Sequence, residues 1–195
     1  MSLLLIPLLA FSSDHLEDYL IKIPFLSQKK YQVSPLTSYS NNNYLWENGE
    51  EKWVIRIPGE SMNFLVDRAS EYKNSLLAKK AGVNPLEVVY FEVNNGLQVT
   101  RYLDGVILPT QETLQNKEGL RQVVSLLKKL HECGTSFVNR FDPFKRLRKI
   151  AARYKEKTGG MSSSFSEAID KMAECEVLIG RSPFFEIKPC HNDPV

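Results

Sequence analysis

Two β-hairpin signatures with one helical stripe between them set the tightest limit on what this chain folds into. Tyr44 to Glu47 and Trp53 to Ile57 are strand candidates joined across Asn48-Gly49, a pair suited to the positive φ angles of a tight hairpin turn. Leu86 to Glu92 and Leu97 to Leu103 form a second such pair, joined through Asn94-Asn95-Gly96. Between the hairpins, Met62 to Lys80 carries Leu65, Ala69, Tyr72 and Leu76 on a helical stripe, and Gly82 is placed to stop it. Tyr31 to Leu36 is a further strand candidate. Ahead of it, Asp14 and Glu17 have capping-box spacing, and Leu16, Tyr19, Leu20 and Ile23 repeat on one helical face until Pro24.

After Asp104-Gly105 the strand signals give way to helical ones, which places a boundary within Tyr102 to Pro109. Leu120, Val123, Val124, Leu127 and Leu130 mark a second helix ending near Gly134. Asp142-Pro143 supplies an N-cap with proline at the first helical position, opening a third helix to about Thr158. Gly159-Gly160 with Ser162-Ser163-Ser164 reads as a loop, and Phe165 to Ile179 as a fourth helix. The class is α+β, with a sheet-rich lobe over 1–103, a hinge over 104–109 and a helical lobe over 110–195. A chain of 195 residues with 43% hydrophobic and 25% charged residues has the material for two small lobes and excludes a disordered or fibrous class.

The residues fit for chemistry are few. Arg56 on a hairpin strand and Glu71 on the next helix are consecutive enough to meet; taken alone they read rather as a surface pair on a small α+β domain. Leu36 to Tyr44 holds Thr37, Ser38, Ser40 and Asn41-Asn42-Asn43 between two strand candidates, polar groups able to touch phosphate. A phosphate-cradling loop commonly uses glycine and this one has none, so taken alone it reads rather as an ordinary polar hairpin loop. His191-Asn192-Asp193 follows Pro189, and an Asp so placed can take the proton of a hydroxyl during phosphoryl transfer while the His holds the loop. A polar chain end is the alternative.

Other features point away from several functions. A net charge of +2 is too balanced to advertise nucleic-acid binding. The cations Lys145, Arg146, Arg148, Lys149, Arg153, Lys155 and Lys157 sit on a helix whose Phe144, Leu147, Ile150, Ala151 and Tyr154 form an apolar face, so they read as its solvated side. Cys133, Cys175 and Cys190 are an odd, scattered set that reads as reduced thiols in a cytoplasmic protein rather than a zinc site. The apolar start from Leu3 to Phe11 lacks a preceding Lys or Arg and is too short to span a membrane, so a buried N-terminus is favoured over a secretion signal. Trp46 and Trp53 flank the Asn48-Gly49 turn, where cross-strand packing is the expectation.

Two hairpins around one helix, then a hinge and a helical half, is the order of elements in the protein-kinase-like fold. Pro189-Cys190-His191-Asn192-Asp193-Pro194 resembles the start of the catalytic loop of the choline/ethanolamine kinase family, especially its bacterial choline kinase branch, related to aminoglycoside phosphotransferases. Pro35-Leu36 through Asn43-Tyr44 resembles its nucleotide loop, and Val54 to Gly59 its phosphate-binding strand. Arg68 with Glu71 matches its helix, Tyr102-Leu103-Asp104-Gly105 its hinge, and Leu130-His131 with Phe141-Asp142-Pro143-Phe144 its early helical lobe.

The resemblance implies ATP-dependent transfer of a phosphoryl group to choline or a similar small amino alcohol. It assigns Asp193 as base, with His191 and Asn192 in the same loop. It assigns Ser40, Asn41, Asn42, Arg56, Glu71, Tyr102 and Leu103 to the nucleotide. The family's magnesium ligands have no positions in these residues, so no metal ligand is assigned, and the 195-residue form is expected to be a truncated, inactive kinase. A non-catalytic fragment that binds a nucleotide or a partner is the alternative. Phe165, Ile169, Met172, Ala173 and Ile179, with Phe184 and Phe185, are expected to leave apolar surface uncovered and to favour self-association.

Overall fold

Alternation along Lys52–Pro58 builds the centre of an antiparallel sheet: Trp53, Ile55 and Ile57 are buried, while the residues between them face the other way. The computed structural model describes residues 16–27, 30–38, 41–59, 64–105, 115–182 and 186–190. The strands are β1 (Gln32–Leu36), β2 (Asn41–Glu47), β3 (Lys52–Pro58), β4 (Val88–Phe91) and β5 (Gln98–Arg101). Their order across the sheet is β1-β2-β3-β5-β4, and every neighbouring pair is antiparallel. The register places Trp46 directly opposite Trp53, the cross-strand packing expected of them.

Two short helices, α1 (Leu16–Leu20) and α2 (Pro24–Ser27), cover one face of this sheet. Leu20, Ile23 and Leu26 join Trp46, Trp53, Ile55, Ile57, Leu97 and Val99 in one buried cluster. Phe25 meets the Trp53 ring edge-on, with centroids 5.8 Å apart, and Tyr31 stacks on Trp46 at 5.6 Å. The helix expected to run to Pro24 ends at Leu20, and Pro24 opens a second one, where its missing N–H costs nothing. Asp14 lies outside the described residues.

The β2–β3 connection also differs from the two-residue turn expected of Asn48-Gly49. It spans 48–51, and the Asn48 side chain closes it by accepting from Glu50 N at 3.1 Å and Glu51 N at 2.8 Å. Gly49 takes a φ of 89°, the left-handed conformation that favours glycine. In the second hairpin Asn95 plays the same part, accepting from Leu97 N at 2.8 Å, and a register shift between Val88 and Tyr90 bends β4.

Helix α3 (Arg68–Lys80) starts later than the apolar stripe suggests. Asp67 is the reason: its carboxylate accepts from Ala69 N at 3.1 Å and from Ser70 Oγ at 2.6 Å, so the chain enters the helix there. Leu65 lies before the cap, in a short turn, and Met62 lies outside the described residues. The Ser70 hydroxyl first, then its backbone N–H, holds the Asp67 carboxyl below its ordinary 3.8. A carboxyl lowered by folding contributes its stabilisation in full above the ordinary value and loses it as pH falls through the lowered one. Amide protection at Ala69 is therefore expected to drop on acidification below about pH 4. In Asp67→Ala it is expected to be low at every pH; an acid-dependent drop that survives in this variant would disprove the assignment.

The described residues divide into two compact units, one drawn from Met1–Asn63 and Leu86–Gly105, the other from Phe64–Pro85 and Val106–Val195. This differs from lobes of 1–103 and 110–195 in grouping α3 with the helical half. Within that unit, Asn74 Oδ1 accepts from Val138 N at 2.8 Å, Asn74 Nδ2 donates to Asn139 Oδ1, and Lys129 Nζ donates to the Gly82 carbonyl at 2.6 Å.

The helical unit continues with α4 (Lys117–His131), α5 (Pro143–Thr158) and α6 (Ser163–Gly180), capped by Asn116, Asp142 and Ser162. Gly159 ends α5 with φ 75°. Ser163 and Ser164, expected in a loop, are helical because the Ser162 hydroxyl accepts from Phe165 N at 3.3 Å. Along α5 only Ala151 is buried, Leu147, Ile150 and Tyr154 stay exposed, and Arg148 is paired with Glu176 of α6. Phe165, Ile169 and Met172 are half-buried and Ala173 and Ile179 exposed; Phe184 and Phe185 lie outside the described residues.

Candidate functional site

Because β3 buries Trp53, Ile55 and Ile57 on one face, Arg56 is turned to the other. Residues directly opposite in an antiparallel ladder share a face, with Cβ atoms about 4.5–5.5 Å apart. The register pairs Leu36 with Asn43, Asn43 with Arg56, Arg56 with Gln98, and Gln98 with Phe91. One residue from each strand therefore makes a row across the sheet, with a guanidinium at its centre and an amide side chain on either flank. The neighbouring row on the same face is Ser34, Leu45, Val54, Thr100 and Val88. A central cation with two amides suits an anionic ligand, and Leu45, Val54 and Val88 offer an aliphatic surface to a flat ring.

Asn41 and Asn42 were expected in a loop, and both lie in β2 instead, opposite Pro58 and Ile57. The β2–β3 ladder satisfies backbone groups that the low strand propensity of Asn argued against. Strand alternation then separates the two side chains. Asn41 shares the face of Arg56, whereas Asn42 is on the face of Ile57. Asn43, counted among the polar residues of that segment but not assigned to the nucleotide, is the residue that adjoins Arg56; strand alternation from Tyr44 was the signal available. Ser38 Oγ donates to the Asn41 carbonyl, and Ser40 lies outside the described residues. Gln98 is buried at 7% exposure and was likewise missed.

Tyr102 and Leu103 follow β5 directly, and Tyr102 N donates to the Lys52 carbonyl at 3.1 Å, which prolongs the ladder past Arg101. Lys52 Nζ lies 5.5 Å from the Tyr102 ring centroid and 3.2 Å from Asp104 Oδ1. The Asp104 hydrogen bond raises the Lys52 pKa above its usual value. These contacts hold the start of the expected hinge against the sheet.

Glu71 sits in the first turn of α3, in the helical unit. Its Oε2 accepts from Arg68 Nη1 at 2.8 Å, and the two side chains are only 22% and 12% exposed. Arg68 and Glu71 are thus a shielded pair one helical turn apart. Its shielding from solvent sets it apart from the Arg121–Glu118 and Lys171–Glu174 pairs. Arg56 belongs to the sheet unit. His191, Asn192 and Asp193 lie outside the described residues.

No family model matches the chain. Its fold is the kinase-like fold of choline/ethanolamine kinases. A choline/ethanolamine kinase family protein from Mesorhizobium loti superposes with a TM-score of 0.68 at 23% identity, over 93% of this chain and 58% of that one. Choline kinase LicA from Streptococcus pneumoniae superposes at 0.69 and 19% identity, over 85% and 57% of the two chains. A structure of LicA in complex with AMP gives 0.58 at 22%, over 70% and 47%.

In sequence the chain is similar to the LicA proteins. It is 30% identical to LicA of Haemophilus influenzae across 88% of its own length and 50% of the relative's. It is 31% identical to LicA of Haemophilus influenzae strain Rd, across 80% and 58%. The chain therefore spans roughly half the length of the curated relatives it matches. The resemblance to the choline/ethanolamine kinase family holds in sequence and in fold.

Proposed function

We propose that the polypeptide carrying this sequence is an ATP-dependent phosphotransferase that moves the γ-phosphate of ATP onto the hydroxyl of choline or a similar small amino alcohol. The observation that supports it above all is similarity to LicA over most of the chain, on the fold of a choline kinase of the same name. The LicA structure holding AMP supports the nucleotide as donor.

In this reading Arg56 holds the phosphates from the face of the sheet opposite the core cluster, with Asn41 alongside. Backbone groups of Tyr102 and Leu103 take the adenine. Asp193 accepts the proton of the substrate hydroxyl as its oxygen attacks the γ-phosphorus and ADP departs, with His191 and Asn192 holding the loop. Magnesium, when bound, neutralises charge on the transferring phosphoryl group. Among the described residues no group of three or more His, Cys, Asp or Glu stands together to hold a metal ion, so none is assigned to it.

Cys175 and Cys190 are exposed free thiols, in keeping with a reducing cytoplasmic setting. No helix among the described residues is long and apolar enough to cross a membrane. Nucleic acid has no part in this reading. The test is formation of phosphocholine from ATP and choline, followed by mass spectrometry, with ethanolamine, thiamine and an aminoglycoside in parallel. ATP binding without transfer to any of them would replace the enzyme with a nucleotide-binding protein.

A further inference from the structure

We infer that Asn43 is a positioning residue that accepts a hydrogen bond from the Arg56 guanidinium and sets its approach to a nucleotide phosphate; this rests on the reading of Arg56 as the phosphate-holding cation. Asn43 Oδ1 is closed to solvent and has no hydrogen-bond partner among the described residues. A buried acceptor left this way costs about as much as a lost hydrogen bond, so its persistence calls for a state in which it is used. The donors available to it are few.

On its face of the sheet Asn43 is bordered by Leu36 and Arg56 across the strands, by Asn41 and Leu45 along β2, by Pro58 and Val54 diagonally on β3, and by Ser34 and Ser38 diagonally on the β1 side. Leu36, Leu45, Val54 and Pro58 carry no side-chain donor. Of the four that do, Arg56 is the direct cross-strand partner, Asn41 is a full strand repeat away, Ser34 is a short hydroxyl at the diagonal spacing that only long side chains span, and Ser38 donates to the Asn41 carbonyl instead. A phosphate offers only acceptors and leaves Oδ1 unsatisfied. Arg56 has five N–H groups in a fixed fork, enough to serve Asn43 with one and a phosphate with two others. An amide oxygen on one side then selects which edge of the guanidinium is free. Asn suits this position because it accepts without adding a negative charge that would compete with the phosphate for the cation.

The experiment is a double-mutant cycle on ATP affinity, measured by titration calorimetry with magnesium and ATP on the polypeptide carrying this sequence, with thermal midpoints for every variant. Arg56→Ala is expected to weaken ATP by about tenfold or more, since bonds to charged groups are the strong ones. Asn43→Ala is expected to weaken it by roughly three- to tenfold, and to have no further effect in the Arg56→Ala background. Asn43→Asp, which keeps the acceptor oxygen, is expected to retain more affinity than Asn43→Ala. An Asn43→Ala variant with native affinity, beside a weakened Arg56→Ala, overturns the inference and leaves the phosphate role of Arg56 standing. Equal losses in both backgrounds overturn it as well, because Asn43 then acts without Arg56. Native ATP affinity in Arg56→Ala overturns the reading of Arg56 itself, and the inference with it. If Asn43→Ala lowers the thermal midpoint too far for titration, Asn43→Ser replaces it in the same cycle.

Discussion

Asp193→Asn is expected to lower turnover by about a hundred- to ten-thousand-fold while ATP affinity stays at the native level, the loss that follows removal of a general base. Asparagine keeps the shape of the side chain and its capacity to hydrogen-bond the hydroxyl. It cannot take the proton. The substitution separates chemistry from binding, whereas Arg56→Ala is expected to act on nucleotide affinity. The measurement is kcat for phosphocholine formation beside a calorimetric ATP titration. Native turnover in Asp193→Asn would mean that the base is another residue and that the resemblance around His191 to Asp193 does not carry the chemistry.

Trp46→Ala is expected to cost about 3–5 kcal/mol of stability, as deletion of a large buried aromatic does. Trp46 is 0% exposed, faces Trp53 across the strands and receives Tyr31 on its ring, so removal leaves a cavity between them. The indole carries a second consequence. Nε1 of both Trp46 and Trp53 is buried without a hydrogen-bond partner among the described residues, a burden of roughly 1–3 kcal/mol for each such group. Trp46→Phe loses area but sheds that N–H, and is expected to cost clearly less than Trp46→Ala. Urea titrations followed by circular dichroism measure both. Both variants shed the orphaned N–H, so equal costs would show that the ring Phe retains does not fill the site.

The elements that were legible in the sequence are those where local chemistry and long-range packing agree. Asp142-Pro143 and Gly159 bracket α5 as read, because cap, proline and left-handed glycine all act within a few residues. Trp53 to Ile57 read as a strand and is one, and the order of elements led to the kinase-like fold. The failures lie where a distant partner overrides a local preference. Asn41, Asn42 and Asn43 look like loop residues by propensity and become a strand because Leu36 on one side and Arg56 to Pro58 on the other complete their ladders. Leu65 fits the helical stripe, yet Asp67 fixes the helix start beyond it. The row that joins Asn43, Arg56 and Gln98 depends on strand register, which one-dimensional periodicity does not specify across a connection as long as that from β3 to β5.

That connection has a kinetic consequence. β3 is central in the sheet, yet its outer neighbour β5 is translated only after α3 and β4, and α3 is grouped with the other unit. The β1–β2–β3 meander forms from local contacts, but Ile55 meets Val99 only once the intervening chain has closed into a loop, a step with an entropic cost and slow pairing. Until Arg101 has emerged from the ribosome, the nascent meander presents the hydrogen-bonding edge of Trp53 to Arg56 to whatever strand is near. Such an edge invites association with other chains. The interval between synthesis of β3 and of β5 is thus the period in which this edge stays unpaired.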